Sequence, residues 1–204
     1  MDERPYYALA MTGASGAQYG LRLIETLLTH AYDVHLVFSE PARMVINTET
    51  DVRIPSRPSD CQSMLTEQYR DLPGTIRVFG KDDWFAPMAS GSNPPAAMAV
   101  CPCTTGTLGA LASGLSRSLI ERAADVVLKE RRRLVVVVRE TPFSHIHLEN
   151  MLTLSRAGAV ILPANPGFYH HPKTIDDIVD FVVARVLDQL GVAQTLMPRW
   201  GANR

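Results

Sequence analysis

Short apolar runs recur along this chain at Tyr6 to Met11, Val34 to Phe38, Ile76 to Phe79, Ala96 to Cys101, Leu134 to Val138 and Val160 to Leu162, with helical patterns between most of them. Alternation of this kind implies a parallel sheet covered on both faces. Val135-Val-Val-Val138 has no polar alternation, as expected of a central strand buried on both sides. The helical patterns run over Ala17 to His30, Pro41 to Thr48, Asp60 to Arg70, Thr105 to Ala112, Ser118 to Glu130, His147 to Ala157 and Thr174 to Leu190. Thr174 followed by Asp176 and Asp177 reads as an N-cap with an acidic first turn, and Gly191 as a C-terminal stop. The expected fold is a single α/β domain over residues 1–204, a doubly wound parallel sheet of Rossmann-like or flavodoxin-like type. Residues 192–204 form a C-terminal tail expected to dock on the domain or on a neighbouring subunit.

A chain of 204 residues can bury one substantial core. Its 46% hydrophobic and 20% charged residues, with a net charge of −1, are those of an ordinary soluble globular protein, and nothing points to a nucleic-acid or membrane surface. No apolar run reaches transmembrane length and Met-Asp-Glu-Arg-Pro lacks the features of a signal peptide, so the cytoplasm is the expected compartment. Cys61, Cys101 and Cys103 form neither an even disulfide set nor a C-x-x-C pair, which makes Cys101-Pro-Cys103 a strand end rather than a redox or metal centre.

The first strand-to-helix turn is Thr12-Gly13-Ala14-Ser15-Gly16. Glycines without Cβ let the backbone turn sharply and present amide N–H groups, and the following helix aims its positive dipole end at the same space. An anion belongs there, most naturally a nucleotide phosphate, although a tight turn that binds nothing has the same signature. The spacing is neither the dinucleotide fingerprint nor a P-loop. Ligands of doubly wound sheets collect beyond the carboxyl ends of the strands, where strand order reverses. Several informative residues lie there: Ser39 after the second strand, Ser90-Gly-Ser92 before the fourth, Thr104-Thr105-Gly106-Thr107 after it, and Arg139-Glu140 after the fifth. Ser39 alone reads as a helix cap, while four such loops on one edge favour a phosphorylated ligand.

The residues Met11-Thr-Gly-Ala-Ser-Gly-Ala, Ala89-Ser-Gly-Ser92, Cys101-Pro-Cys-Thr-Thr-Gly-Thr-Leu108, Leu119-Ile-Glu-Arg-Ala-Ala-Asp-Val126, Leu128-Lys-Glu-Arg131, Arg139-Glu-Thr-Pro142, Ile146-His-Leu-Glu-Asn-Met151 and Pro166-Gly-Phe-Tyr169 together resemble the flavin prenyltransferases, the UbiX-type proteins. The match runs from about Tyr7 to Trp200. The resemblance implies an enzyme that joins the dimethylallyl group of dimethylallyl phosphate to N5 and C6 of reduced FMN, without a metal. Its product, prenylated FMN, is the cofactor of UbiD-type decarboxylases, with ubiquinone biosynthesis as one destination. The resemblance further implies a homo-oligomer, typically a dodecamer built from trimers, with sites formed between subunits.

Ionising an allylic phosphate without Mg²⁺ leaves the departing phosphate to fixed cations and hydrogen-bond donors. Arg122 and Lys129 are seven apart on one helix face, with largely apolar residues between them. Arg131 to Arg133 read instead as a solvated helix end. By the resemblance, Gly13, Ala14, Ser15, Ser39, Thr104, Thr105, Gly106, Thr107 and Arg139 bind FMN, and Ser90, Arg122, Lys129, Glu140, Tyr169 and Arg185 bind the allylic phosphate. Trp84 and Trp200 are candidate walls of the prenyl pocket. Lys129 and Glu140 are also carried as catalytic groups, although a mutual ion pair of Glu140 with Lys129 or Arg122 is an equally simple reading. Proton removal from the flavin wants a nearby carboxylate, and Glu49, with Ser15 as its relay, fits; without the resemblance Glu49 reads as a surface residue at a helix end. Thr104 stands where serine is common in the family, and lysine also appears among relatives at Arg185.

His145-Ile-His147 lacks a third ligand at sensible spacing, so no metal is expected. Two rivals share the flavoprotein background. An FMN-dependent cysteine decarboxylase would carry a catalytic His in the first-helix region, where Gln18-Tyr19 offers none, and a Met/Trp motif that this sequence lacks. A non-catalytic FMN carrier would not need Arg122, Lys129, Glu140, Tyr169 and Arg185.

Overall fold

The computed structural model describes residues 5–199 and 201. Strands β1 (Tyr6–Met11), β2 (Asp33–Phe38), β3 (Thr75–Phe79), β4 (Ala97–Cys103), β5 (Arg133–Val138) and β6 (Val160–Ile161) form one sheet in the order β3-β2-β1-β4-β5-β6. Every pairing is parallel. This is the Rossmann order, with the reversal between β1 and β4; a flavodoxin-type order would place β3 inside the sheet. The helices are α1 (Ala17–Thr29), α2 (Glu40–Glu49), α3 (Pro58–Gln68), α4 (Thr105–Ala112), α5 (Leu119–Lys129), α6 (His145–Arg156) and α7 (Ile175–Leu190).

Side chains of successive strand residues point to opposite faces, so each strand feeds two cores. Leu9, Met11, Leu36, Ala99 and Val137 meet α1, α2, α3 and α7 on one face. Ala8, Ala10, Met98, Val100 and Val136 meet α4, α5 and α6 on the other. Burial of β5 is complete from Leu134 to Val138, which explains its unbroken apolar run.

Helix boundaries follow capping chemistry. Thr174 and Asp177 form a capping box that starts α7, and Gly191 ends it in the left-handed conformation at φ 78°. Ser144 starts α6 two residues earlier than the periodicity suggests, because His147 completes its box: Nδ1 of His147 accepts the Ser144 amide at 3.2 Å. His145 pairs with Glu149 at 3.1 Å, so the two histidines of the His-x-His stretch serve the helix. β4 continues past the expected Cys101 to Cys103 through a cis Pro102 and a register shift. All three cysteines are free and buried, and burial pushes the Cys103 thiol up to about 12.

Candidate functional site

The carboxyl ends of β1 and β4 are joined by one hydroxyl that the sequence reading passed over. Thr12, buried at the end of β1, donates from Oγ1 to the Pro102 carbonyl at 2.9 Å and accepts the Thr104 amide at 2.8 Å. The turn that opens α4 is thereby tied to the turn that precedes α1. A polar residue closing an otherwise apolar strand was the available signal.

Two amides at the end of the glycine turn are already engaged. Gly16, at φ 103°, is the N-cap of α1 without a side-chain cap of its own. Oε2 of Glu49, the last residue of α2, accepts the Gly16 and Ala17 amides at 2.8 and 3.0 Å, and the Ser15 hydroxyl bonds to the same carboxylate. Glu49 therefore places an anion at the α1 dipole, which corrects the reading of Glu49 as a free surface carboxylate. Burial opposes its ionisation, but the bonds from Ser15, Ala17 and Gly16 and the nearby charge of Arg139 outweigh it and hold the carboxyl below its ordinary range. Gly13 answers a second demand: a Cβ there would collide with Pro41 of α2. Ala14 is buried.

The free donors lie one strand over. Thr104 caps α4, accepting the Thr107 amide at 3.1 Å and donating to Thr107 Oγ1 at 2.9 Å, which leaves the Thr107 hydroxyl proton to point elsewhere. The first-turn amides of Thr105 and Gly106 have no intrahelical acceptor, and the space beside Gly106 is open, its nearest neighbour being Thr104 Oγ1 at 4.0 Å. Ser39 caps α2 by accepting the Ala42 amide at 3.1 Å, so its proton too is left to donate. Nε of Arg139, just after β5, is buried and finds no hydrogen-bond partner among the described residues. Hydroxyls, helix-start amides and an orphaned guanidinium N–H make a site rich in donors, and an acceptor-rich phosphate such as that of FMN fits it.

A second set of cations sits on two different helices. On α5, Arg122 donates from Nε to the Ala89 carbonyl at 3.0 Å and pairs with Asp125 at 2.8 Å. Lys129 pairs with Glu130, and Gly91 lies so close that a Cβ there would strike both Lys129 and Glu130. The Ala89–Ser92 loop thus lies over the Arg122 and Lys129 face, with Ser90 and Ser92 bonded to each other at 2.8 Å. Glu140 accepts the Thr141 amide at 3.1 Å and its cationic neighbour is Arg139 at 3.9 Å. The alternative ion pair of Glu140 with Lys129 or Arg122 is not formed among the described residues. Tyr169 packs on Phe181 of α7, and Arg185, one turn further, pairs with Asp188 at 2.6 Å.

The structure therefore brings Ser15, Glu49, Arg139 and the Thr104–Thr107 turn to one edge. It does not unite Arg122 and Lys129 with Arg185, because α5 packs on one face of the sheet and α7 on the other. Trp84 is half exposed in the loop before the Pro87–Ala89 turn, beside a fully exposed Phe85. Trp200 lies outside the described residues.

Comparison with known proteins gives a consistent result. The family described as Flavoprotein matches residues 1–187. A flavin prenyltransferase UbiX of Pseudomonas aeruginosa is 61% identical over 193 residues, covering 95% of this chain and 92% of that protein. The crystal structure of AnUbiX in complex with FMN and dimethylallyl pyrophosphate superposes with a TM-score of 0.87 at 41% identity, covering 98% of this chain and 99% of the other. A dodecameric FMN-dependent UbiX-like decarboxylase from Escherichia coli O157:H7 superposes with a TM-score of 0.85 at 41% identity, covering 97% of this chain and 100% of that one.

Proposed function

Since the chain belongs to the flavoprotein family, within its UbiX flavin prenyltransferases, we propose that it transfers a dimethylallyl group from an allylic phosphate to reduced FMN, forming bonds at N5 and C6. The product, prenylated FMN, then serves a UbiD-type decarboxylase. The observation that carries this reading is the division of labour along one sheet edge: an ionised Glu49 held on a helix start, next to free donors that fit a flavin phosphate.

Bound there, FMN supplies the nucleophilic N5 and C6 positions. The remaining work belongs to the chain. Thr105, Gly106, Thr107, Ser39 and Arg139 hold the flavin phosphate through the donors left open to it. Glu49 accepts a proton, with Ser15 bonded to its carboxylate as the relay. Arg122, Lys129 and Arg185 neutralise the departing phosphate, Tyr169 donates from its phenol, and Glu140 orients these cations beside Arg139. Ser90 and Trp84 border the allylic ester on the Arg122 side. No metal is assigned a role, because three protein cations suit a monophosphate leaving group.

Arg122 and Arg185 lie on opposite faces of one chain's sheet, so the complete phosphate site is shared between copies in a homo-oligomer, a dodecamer by analogy with the Escherichia coli protein. The C-terminal tail begins at Val192, which is buried in the core. No helix among the described residues is long and apolar enough to cross a membrane, and we assign the enzyme to the cytoplasm.

Anaerobic incubation with reduced FMN and dimethylallyl phosphate tests this. Mass spectrometry is expected to find the flavin heavier by one C5 unit. Unchanged flavin would leave a carrier, and carbon dioxide released from a cysteinyl substrate would make the protein a decarboxylase.

A further inference from the structure

Between β6 and α7 the chain runs from Pro163 to Pro172 without helix or strand. Its start follows the end of β5, with the Leu162 and Ala164 amides donating to Val136 and Val138 carbonyls at 2.9 and 3.0 Å. Its end is held where the Lys173 amide donates to Asp177 at 2.8 Å. Phe168 and Tyr169 are 65% and 58% exposed, so burial of their own side chains does not fix the middle of the loop. Three residues of that middle meet one ring on α7.

The His170 imidazole stacks on Phe181 with centroids 5.2 Å apart and planes 12° from parallel. Tyr169 meets the same ring edge-on at 5.7 Å and 78°. Gly167 is pressed against it so closely that a Cβ there would lie 2.8 Å from Phe181 Cζ. Both ring nitrogens of His170 are buried and neither finds a partner among the described residues. A histidine in that setting works through its flat face and not through hydrogen bonds. Phe181 is four residues before Arg185, hence on the same side of the helix one turn away. Arg185 now reaches forward to Asp188 in a pair that is 54% exposed on the arginine side, which leaves it easily drawn elsewhere.

We infer that His170, Phe181 and Gly167 are positioning residues that hold Tyr169 against α7, so that its phenol and Arg185 address the same phosphate group. This rests on the reading that Tyr169 and Arg185 contact the allylic phosphate. None of the three touches substrate; their effect passes through Tyr169.

The test is a steady-state series with reduced FMN and dimethylallyl phosphate, alongside FMN affinity from flavin fluorescence and thermal melting. His170→Ala is expected to raise KM for dimethylallyl phosphate roughly tenfold, with FMN affinity unchanged. His170→Phe keeps the stack, removes two unpartnered nitrogens, and is expected to restore KM with a melting temperature no lower than that of the parent. Gly167→Ala should raise KM as His170→Ala does, and it carries the same test if His170→Ala does not fold. An unchanged KM in both alanine variants, or His170→Phe as impaired as His170→Ala, overturns the inference. Tyr169→Phe separates the two levels: if its KM is raised while the alanine variants are normal, only the clamp is wrong, whereas an unchanged KM removes Tyr169 from the phosphate site and the clamp with it.

Discussion

The corner around Glu49 and the helix face around Arg122 and Lys129 both carry charge at the rim of the sheet, yet they satisfy it differently. Glu49 receives two amides and a hydroxyl from a turn 33 residues earlier in the chain, and Arg139 adds its field. Two of those partners are backbone amides held in place by the turn. Arg122, Lys129 and Arg185 each bond a carboxylate on or directly after their own helix, one to three residues away, with the cations 33%, 46% and 54% exposed. Such pairs contribute at most about 1 kcal/mol each and yield readily to a better anion. One region is organised by contacts between distant segments; the other holds its cations in short-range carboxylate pairs.

If that contrast holds, substitutions at the first region should damage stability and activity together, and those at the second activity alone. The largest effect is expected for Glu49→Ala, with about 1–2 kcal/mol lost from stability as three donors lose their acceptor, and turnover reduced by roughly a hundredfold or more. Glu49→Gln keeps an acceptor on the turn, so it should recover the stability without the turnover; normal turnover in this variant would reduce Glu49 to a cap. The same pair of proteins reads the pH dependence. Because the folded-state pKa of Glu49 is lowered, its contribution is present above the ordinary carboxylate range and disappears as pH falls through the lowered value. Melting curves across acidic pH should therefore show a loss in the parent that Glu49→Gln lacks.

Lys129→Ala should slow prenyl transfer by roughly ten- to a hundredfold while FMN affinity is preserved and stability moves by less than about 0.5 kcal/mol. A stability loss as large as that of Glu49→Ala would erase the distinction between the regions. Thr104→Val probes the donor site next to the preorganised corner: removing the α4 cap should weaken FMN binding by roughly fivefold, about 1 kcal/mol, measured by flavin titration. The smallest effect belongs to Asp188→Asn, which releases Arg185 and should lower KM for dimethylallyl phosphate by roughly two- to threefold, with melting nearly unchanged. A raised KM would mean that Asp188 aims Arg185 instead of detaining it.

Much of this architecture was legible from periodicity. β1 begins and ends where its apolar run does, and α4 spans the expected Thr105 to Ala112. The capped start of α7 and its Gly191 stop followed from local rules about which side chains satisfy free amides and which residue tolerates positive φ. Where local pattern misled, a partner outside the pattern had intervened, as when His147 reached back to Ser144 and lengthened α6. The candidate site was legible as a set of residues but not as an arrangement. That Glu49 caps the Gly16 and Ala17 amides could not be read from Glu49-Thr-Asp51, because the turn that supplies them lies 32 to 33 residues earlier. Thr12 and Pro41 were likewise silent, since a buried hydroxyl and a ring packed on Gly13 declare themselves only through their neighbours.

Sequence alone settled that this chain alternates strands and helices, that its strand ends carry hydroxyls, glycines and arginines, and which family those residues match. These are properties of short windows, governed by backbone conformation, capping and the burial of alternating side chains. Tertiary structure decided that the Glu49 carboxylate caps the first amides of α1, and that Thr12 ties that corner to the turn at Thr104. It also placed Arg122 and Arg185 on opposite faces of the sheet. Those outcomes depend on which distant segments share a few ångströms, and electrostatics and close packing act on that separation with no regard for position along the chain.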